Sequence, residues 1–322
     1  MFRTMDAVRG ALDHELRTDP EVWVAGIDVA AGGNVFGITR GLAEAHPGRV
    51  VDTPISEIAI IGLAVGAAMA GTKPVVEMMY FDFVGTCLDQ IMNQAAKLPF
   101  MTGGRARMAM VVRTQFGAGR SSGSQHSQSL EALLAHIPGL TVVMPSTPAD
   151  TYGLLRTAIQ DPNPVVFVEN RLLYGMKGPV PPEDHVVPIG VAARRRPGTD
   201  VTIVSWSRMV HDALAAAERL AEEGIEAEVI DLRTVAPMDV DTVAESVSRT
   251  GRLLIAHEAV LTGGVGAELA AVIAERCFFD LDAPVVRVAP RAAPVPYSPV
   301  LERAWLPDAD AIAASVRQLA ER

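Results

Sequence analysis

Short runs rich in Val and Ile alternate along this chain with longer segments of helical spacing, and that alternation constrains the fold more than any other feature. The runs are 21–28, 50–54, 74–78, 108–113, 140–145 and 165–169, then 201–205, 227–231, 252–257 and 285–289. Most place apolar residues at consecutive positions, the mark of strands buried on both faces of a parallel sheet. Between them the spacing predicts helices over 5–18, 58–70, 88–97, 148–159, 210–223, 239–250 and 266–276, several opening on Ser, Thr or Asp and ending near Gly. A βαβα order sets helices on both faces of each sheet, so the expected class is α/β, as three-layer α/β/α domains with largely parallel sheets. The pattern fails between Tyr174 and Asp200, where Gly175, Gly178, Pro179, Pro181, Pro182, Pro188, Pro197 and Gly198 fall in a stretch with few apolar runs. The expectation is therefore a first domain over 1–175, a linker over 176–199 and a second domain over 200–322, consistent with 322 residues split into domains of roughly 150.

Composition narrows the functional classes. The net charge is −10, and the run Arg194-Arg195-Arg196 is too short to track a phosphate backbone, so nucleic-acid binding is not expected. Hydrophobic residues make up 49% and charged residues 20%, yet the uncharged stretch Ile58–Thr72 is shorter than the ~20 residues of a membrane span and is broken by Gly62, Gly66 and Gly71. The apolar surplus points instead to thorough burial or to a large interface with other chains. Charges interrupt the first ten residues, so no secretory signal is expected, and Cys87 and Cys277 lie far apart without a CxxC or Cys/His cluster. Both cysteines read as buried small hydrophobes in a reducing cytoplasm.

Nucleotide signatures are mostly missing. There is no GxxxxGK[ST], and Gly264-Val-Gly266 lacks the third glycine of a dinucleotide loop, so it reads as a glycine-rich turn opening a helix that lies close on its sheet. The loop Gly117-Ala-Gly119-Arg-Ser-Ser-Gly123 fits either a mobile segment or an anion-binding nest. Glu57 follows a strand, with Ser56 placed to cap the next helix. It fits a dipole-compensating first-turn residue or a ligand-facing carboxylate at the edge where parallel sheets bind ligands. His126, in Ser124-Gln-His-Ser-Gln128, and Phe81 and Phe83 follow other strand ends; a loop histidine and core aromatics are their plainer readings. Three such features at one sheet edge favour a shared pocket.

A family resemblance then enters. Asp52-Thr-Pro-Ile-Ser-Glu57, Ala64-Val-Gly-Ala-Ala-Met-Ala-Gly71, Gln125-His-Ser-Gln128, Pro138-Gly-Leu140, Asp161-Pro-Asn-Pro-Val-Val166, Asp231-Leu-Arg-Thr234 and Leu281-Asp-Ala-Pro284 resemble, in order and over nearly the whole chain, the β subunits of thiamine diphosphate-dependent 2-oxo acid dehydrogenases. The resemblance implies a pyrimidine-binding domain followed by a transketolase C-terminal-like domain, paired with a separate α subunit in an α2β2 heterotetramer. It implies that Glu57 hydrogen-bonds N1′ of the cofactor pyrimidine and drives the tautomer that removes the C2 proton, so that a 2-oxo acid or acetoin is cleaved and its acyl group passes to lipoamide on an acyltransferase component. Phe83 matches the position that stacks on the pyrimidine, with Met79 close by, and His126 matches a histidine at the pocket mouth, placed to support the substrate carboxylate or protonate the dithiolane. Asp161 and Asn163, with the carbonyl of Ala158, match a structural monovalent-cation (K+) loop of some relatives; a plain Asp-Pro-Asn-Pro turn is the other reading. His257, ahead of Thr262-Gly263-Gly264, reads as an interface or structural residue.

The family's magnesium-binding Gly-Asp-Gly motif is absent here, so Mg2+ and the diphosphate are expected to be held by the α subunit. Two rivals stand beside this reading: a nicotinamide-dependent oxidoreductase, weakened by the missing fingerprint, and a non-catalytic scaffold for an acyltransferase partner, weakened by the presence of Glu57 and His126. The loop residues Arg113–Gly123 look most like acetoin and pyruvate dehydrogenases, and 257–264 like branched-chain relatives, which leaves the substrate among the three.

Overall fold

The structure is a computed structural model that describes residues 2–321. The chain forms two compact units: Met1–Phe116 with Leu133–Ile189, and Gly117–Ala132 with Gly190–Arg322. The second unit thus includes a segment that follows the fourth strand of the first.

Besides a short antiparallel pair, Phe2–Arg3 with Lys177–Gly178, the strands of the first unit's main sheet are β1 (Val22–Gly26), β2 (Val50–Asp52), β3 (Lys73–Met78), β4 (Val111–Phe116), β5 (Thr141–Val143) and β6 (Val165–Asn170). They pair in the order β5-β6-β4-β3-β1-β2, every pairing parallel, which is how uninterrupted Val/Ile runs are buried on both faces. Helix α1 (Thr4–Thr18) turns Ala7, Val8, Ala11, Leu12 and Leu16 inward, a spacing of three and four that makes one apolar stripe. It lies against the later helix α3 (Pro148–Gln160), whose N-cap Thr147 accepts from the Asp150 amide. Helix α2 (Glu57–Met69) is apolar nearly all round and packs on β3 and on the turns that follow it. Ser56 stands at its N-cap, but its side chain makes no capping hydrogen bond, contrary to expectation. Residues 90–95 take a π-helical turn where a regular helix was predicted.

The second unit has β7 (Ala193–Arg196), β8 (Val201–Ser205), β9 (Ala227–Asp231), β10 (Leu253–Ala256) and β11 (Val286–Val288), ordered β11-β10-β8-β9-β7. Only the edge strand β7 is antiparallel, and it is formed by residues read from sequence as linker. Helices α4 (Met209–Glu222), α5 (Val240–Thr250), α6 (Val265–Arg276), α7 (Pro299–Trp305) and α8 (Ala309–Ala320) complete it, with α4 and α8 packed together over a core of Val201, Ile203, Val229, Leu254 and Ile312. Among the described residues no helix is long and apolar enough to cross a membrane.

Candidate functional site

In the first unit Glu57 opens α2 immediately after β2 and is half-buried. The helix lies against the 3-10 turn Phe81–Thr86, which carries Phe83. Cys87 lies at the end of that turn, and burial first, and then the charge of Glu57, push its thiol up to about 12. Met79 is buried at the end of β3, Phe81 is core, and Phe83 is half-buried. The structure therefore places Glu57, Met79 and Phe83 on neighbouring elements at the carboxyl ends of β2 and β3, where loops of a parallel sheet form ligand sites.

Behind Phe83 runs a contact chain that the sequence did not disclose. Phe83 meets Tyr80 edge-on (6.3 Å, 83°), Tyr80 meets Phe36 (6.1 Å, 72°), and Phe36 meets Tyr174 (5.5 Å). The Tyr174 hydroxyl donates to Glu169 Oε2 (2.8 Å). Arg113, fully buried in β4, donates through Nε and Nη2 to Glu169 in β6 (2.7 and 3.0 Å) and through Nη1 to Glu77 in β3 (3.0 Å). Asn34 Nδ2 closes the network on both Glu77 oxygens (2.8 and 3.0 Å). Burial opposes the Arg113 charge, but the two carboxylates outweigh it and push the guanidinium further up; burial likewise pushes Glu77 up, against the pull of Arg113. The signal available in the sequence was a charge inside each of three strand runs.

His126 belongs to the second unit. Its segment is neither a free anion nest nor a loose loop: the Ala118 amide donates to Glu258 Oε1 (2.6 Å), and those of Gly119 and Ser121 donate to Glu302 (2.8 and 2.9 Å). Two carboxylates of the same unit occupy the N–H groups that an anion would take. His126 is half-buried, and its amide donates to the Gly123 carbonyl. Further along, the fully buried Glu131 accepts from Trp206 Nε1 (3.2 Å), and burial, with a contribution from the Glu258 charge, raises its carboxyl to about 7. Trp206 stacks on His257 (5.3 Å, 12°), which has no exposed surface and whose Nδ1–H donates to the Ala259 carbonyl (2.9 Å); burial lowers the imidazole to about 4. His257 is a packing residue, and the interface reading fails on its burial. The glycines after it are explained in the same way: a Cβ at Gly266 would stand 2.6 Å from the imidazole.

Asp161 caps α3, its amide donating to the Ala158 carbonyl (3.3 Å) while its Oδ1 accepts from the Asn163 amide and Nδ2 (2.8 and 3.1 Å). The three residues are together, as a self-closing Asx turn. Among the described residues no three His, Cys, Asp or Glu side chains are gathered to hold a metal.

Known proteins resolve the class. Residues 1–177 match the transketolase pyrimidine binding domain and residues 190–312 the transketolase C-terminal domain. The chain is 47% identical to the acetoin:2,6-dichlorophenolindophenol oxidoreductase β subunit of Cupriavidus necator, over 97% of this chain and 95% of that one. It is 43% identical to the 2-oxoisovalerate dehydrogenase β subunit of Bacillus subtilis (98% of each), and 47% identical to the mitochondrial pyruvate dehydrogenase E1 subunit β-1 of Arabidopsis thaliana (97% and 88%). Its fold superimposes on a solved split-gene transketolase, described as an inactive β4 tetramer, with a TM-score of 0.83 at 25% identity over 100% and 99% of the chains. By both domains and by nearly full-length identity, the chain belongs to the transketolase-like β subunits of the 2-oxo acid and acetoin dehydrogenase complexes.

Proposed function

We propose that this chain activates thiamine diphosphate through Glu57, within an α2β2 assembly whose α subunit supplies the Mg2+ and diphosphate contacts. The bound cofactor supplies a carbon nucleophile for a 2-oxo acid or acetoin, and its acyl product passes to a lipoyl acyltransferase. The carrying observation is that the half-buried Glu57 opens a helix packed on the turn that carries Phe83 and on the strand that Met79 follows. A carboxyl group that can share a proton with a ring nitrogen, beside a thioether and an aromatic face, suits a flat heteroaromatic ring. Glu57 holds or moves the proton at N1′, Phe83 and Met79 orient the ring, and His126 acts on the substrate carboxylate or the dithiolane. The Ala158–Asp161–Asn163 turn closes on itself, so K+ there would add support and take no part in chemistry; a melting curve with and without K+ reads it.

Glu57→Gln keeps the shape and removes the proton equilibrium. In the assembled α2β2 enzyme, cofactor C2 hydrogen–deuterium exchange should slow by about 10²-fold or more, with an unchanged melting temperature. Exchange as fast as in the parent would remove Glu57 from this role. Dye reduction by the same assembly with acetoin, pyruvate and 3-methyl-2-oxobutanoate then ranks the substrates.

A further inference from the structure

We propose that Glu302, on α7 of the second unit, is a positioning residue that fixes the glycine-rich segment ahead of His126 and through it the imidazole. The inference rests on the catalytic reading of His126 given above. The segment from Gly117 to Gly123 contains Gly, Ala, Ser and Arg120 alone, so it has almost no side chain by which packing could hold it. Its backbone takes left-handed angles at every second residue: Gly117 (φ 108°), Gly119 (99°), Ser121 (53°) and Gly123 (72°). For Ser121 that conformation is strained and persists only where the surroundings impose it.

Glu302 is the group that imposes it. The side chain is 2% exposed, and its two oxygens divide the work: Oε1 accepts from the Gly119 amide (2.8 Å), and Oε2 accepts from the Ser121 amide (2.9 Å) and hydroxyl (3.4 Å). Charge-assisted bonds to two amides two residues apart set both position and twist, which one neutral bond cannot do. Downstream the path is short. Gly123 leaves no room for a Cβ beside the Tyr297 ring (2.2 Å), the Ser124 hydroxyl donates to the Val295 carbonyl (2.8 Å), and the His126 amide returns to the Gly123 carbonyl (3.3 Å). These ties between Gly119 and His126 come from α7, from the residues just before it, or from the segment itself.

Glu302→Gln keeps the shape but turns an N–H2 toward one of the two amides. Glu302→Asp keeps the carboxylate one methylene short, and should partly rescue. Read by mass spectrometry on the full chain, amide exchange in peptides covering 117–126 should quicken by about tenfold or more in the Gln variant, with β8 and β10 unchanged. In the enzyme assembled with its α subunit, Glu302→Gln should lower turnover about tenfold in the parent background and add nothing in a His126→Gln background, since a residue acting through His126 is not additive with it. Equal losses in both backgrounds would overturn the positioning role. Unchanged loop exchange would overturn the clamp even if His126 proved essential. Full activity of His126→Gln with faster loop exchange in Glu302→Gln would refute the role of His126, and with it the catalytic half of this inference.

Discussion

Arg113 lies on the middle of three adjacent strands with a carboxylate on either side, all three buried, and such a triad owes its stability to completeness. Removing one partner of a buried ion pair leaves uncompensated charge and costs about 3–5 kcal/mol. Arg113→Met should therefore lower the urea unfolding free energy by that amount, and a loss below about 1 kcal/mol would mean that the charges are not the constraint. The second unit has a different device. Glu131 is raised to about 7 in the fold from an ordinary 4.5, so the folded state holds its proton more tightly. Its contribution is present at low pH and is lost as pH rises from about 4.5 to about 7, on the order of 3 kcal/mol. His257 runs the other way: lowered to about 4, it costs stability as pH falls from 6.5 toward 4. Glu131→Gln keeps the acceptor for Trp206 and should flatten the decline in melting temperature between pH 5 and pH 8; an unaltered slope would show that another group titrates there. Neither device was legible in sequence. A motif reports residues near one another along the chain, as Asp52–Glu57 does, whereas the triad is defined by strand order and the Glu302 clamp by contacts 183 and 181 residues apart in sequence.

At the level of elements the sequence was informative wherever burial sets the pattern. All ten Val/Ile runs became strands, because a strand buried on both faces has little freedom in its composition. What escaped was structure set by neighbours. Examples are the edge strand Ala193–Arg196, which pairs through its backbone while its arginines reach Asp231 and Glu226, and the short helix Pro299–Trp305, which is one and a half to two turns long. Helix α2 is the element whose own chain does not explain it. Ile58, Leu63 and Met69 are each about half exposed, and Gly66 faces open space with nothing within 4 Å of a Cβ. A leucine there fits the isolated fold and improves helix propensity by roughly 1 kcal/mol. Gly66→Leu should consequently fold as well as the parent yet loosen the assembly with the α subunit, if small residues at Gly62, Gly66 and Ala70 admit a neighbouring helix. An unchanged assembly mass by light scattering would count against α2 as a subunit contact.

For the whole molecule the question is where a chain of 49% hydrophobic and 20% charged residues puts its apolar surface. Much of it is buried: each unit has a core of Val, Ile, Leu and Ala at or near zero exposure. The surplus is still visible outside. Phe100 is 89% and Phe279 96% exposed, with Met101, Phe278, Ile55 and Leu301 also open, on top of the outer face of α2. Scattered single residues would be unremarkable, but α2 and the adjoining 98–101 helix present theirs beside the elements that carry Glu57 and Phe83, linked through the 90–95 turn. Apolar surface next to the proposed half of a cofactor site is what a shared active site requires, because the partner must both exclude water and bring the remaining ligands. The chain on its own should therefore be a folded protein without turnover, and it should not persist as a 34.2 kDa monomer at micromolar concentration. Adding the α subunit should restore dye reduction in proportion to complex formed, with saturation at one α per β. Robust decarboxylation by the purified chain would break the split-site reading, and a stable monomer that gains activity without changing mass would break the link between the exposed surface and the site.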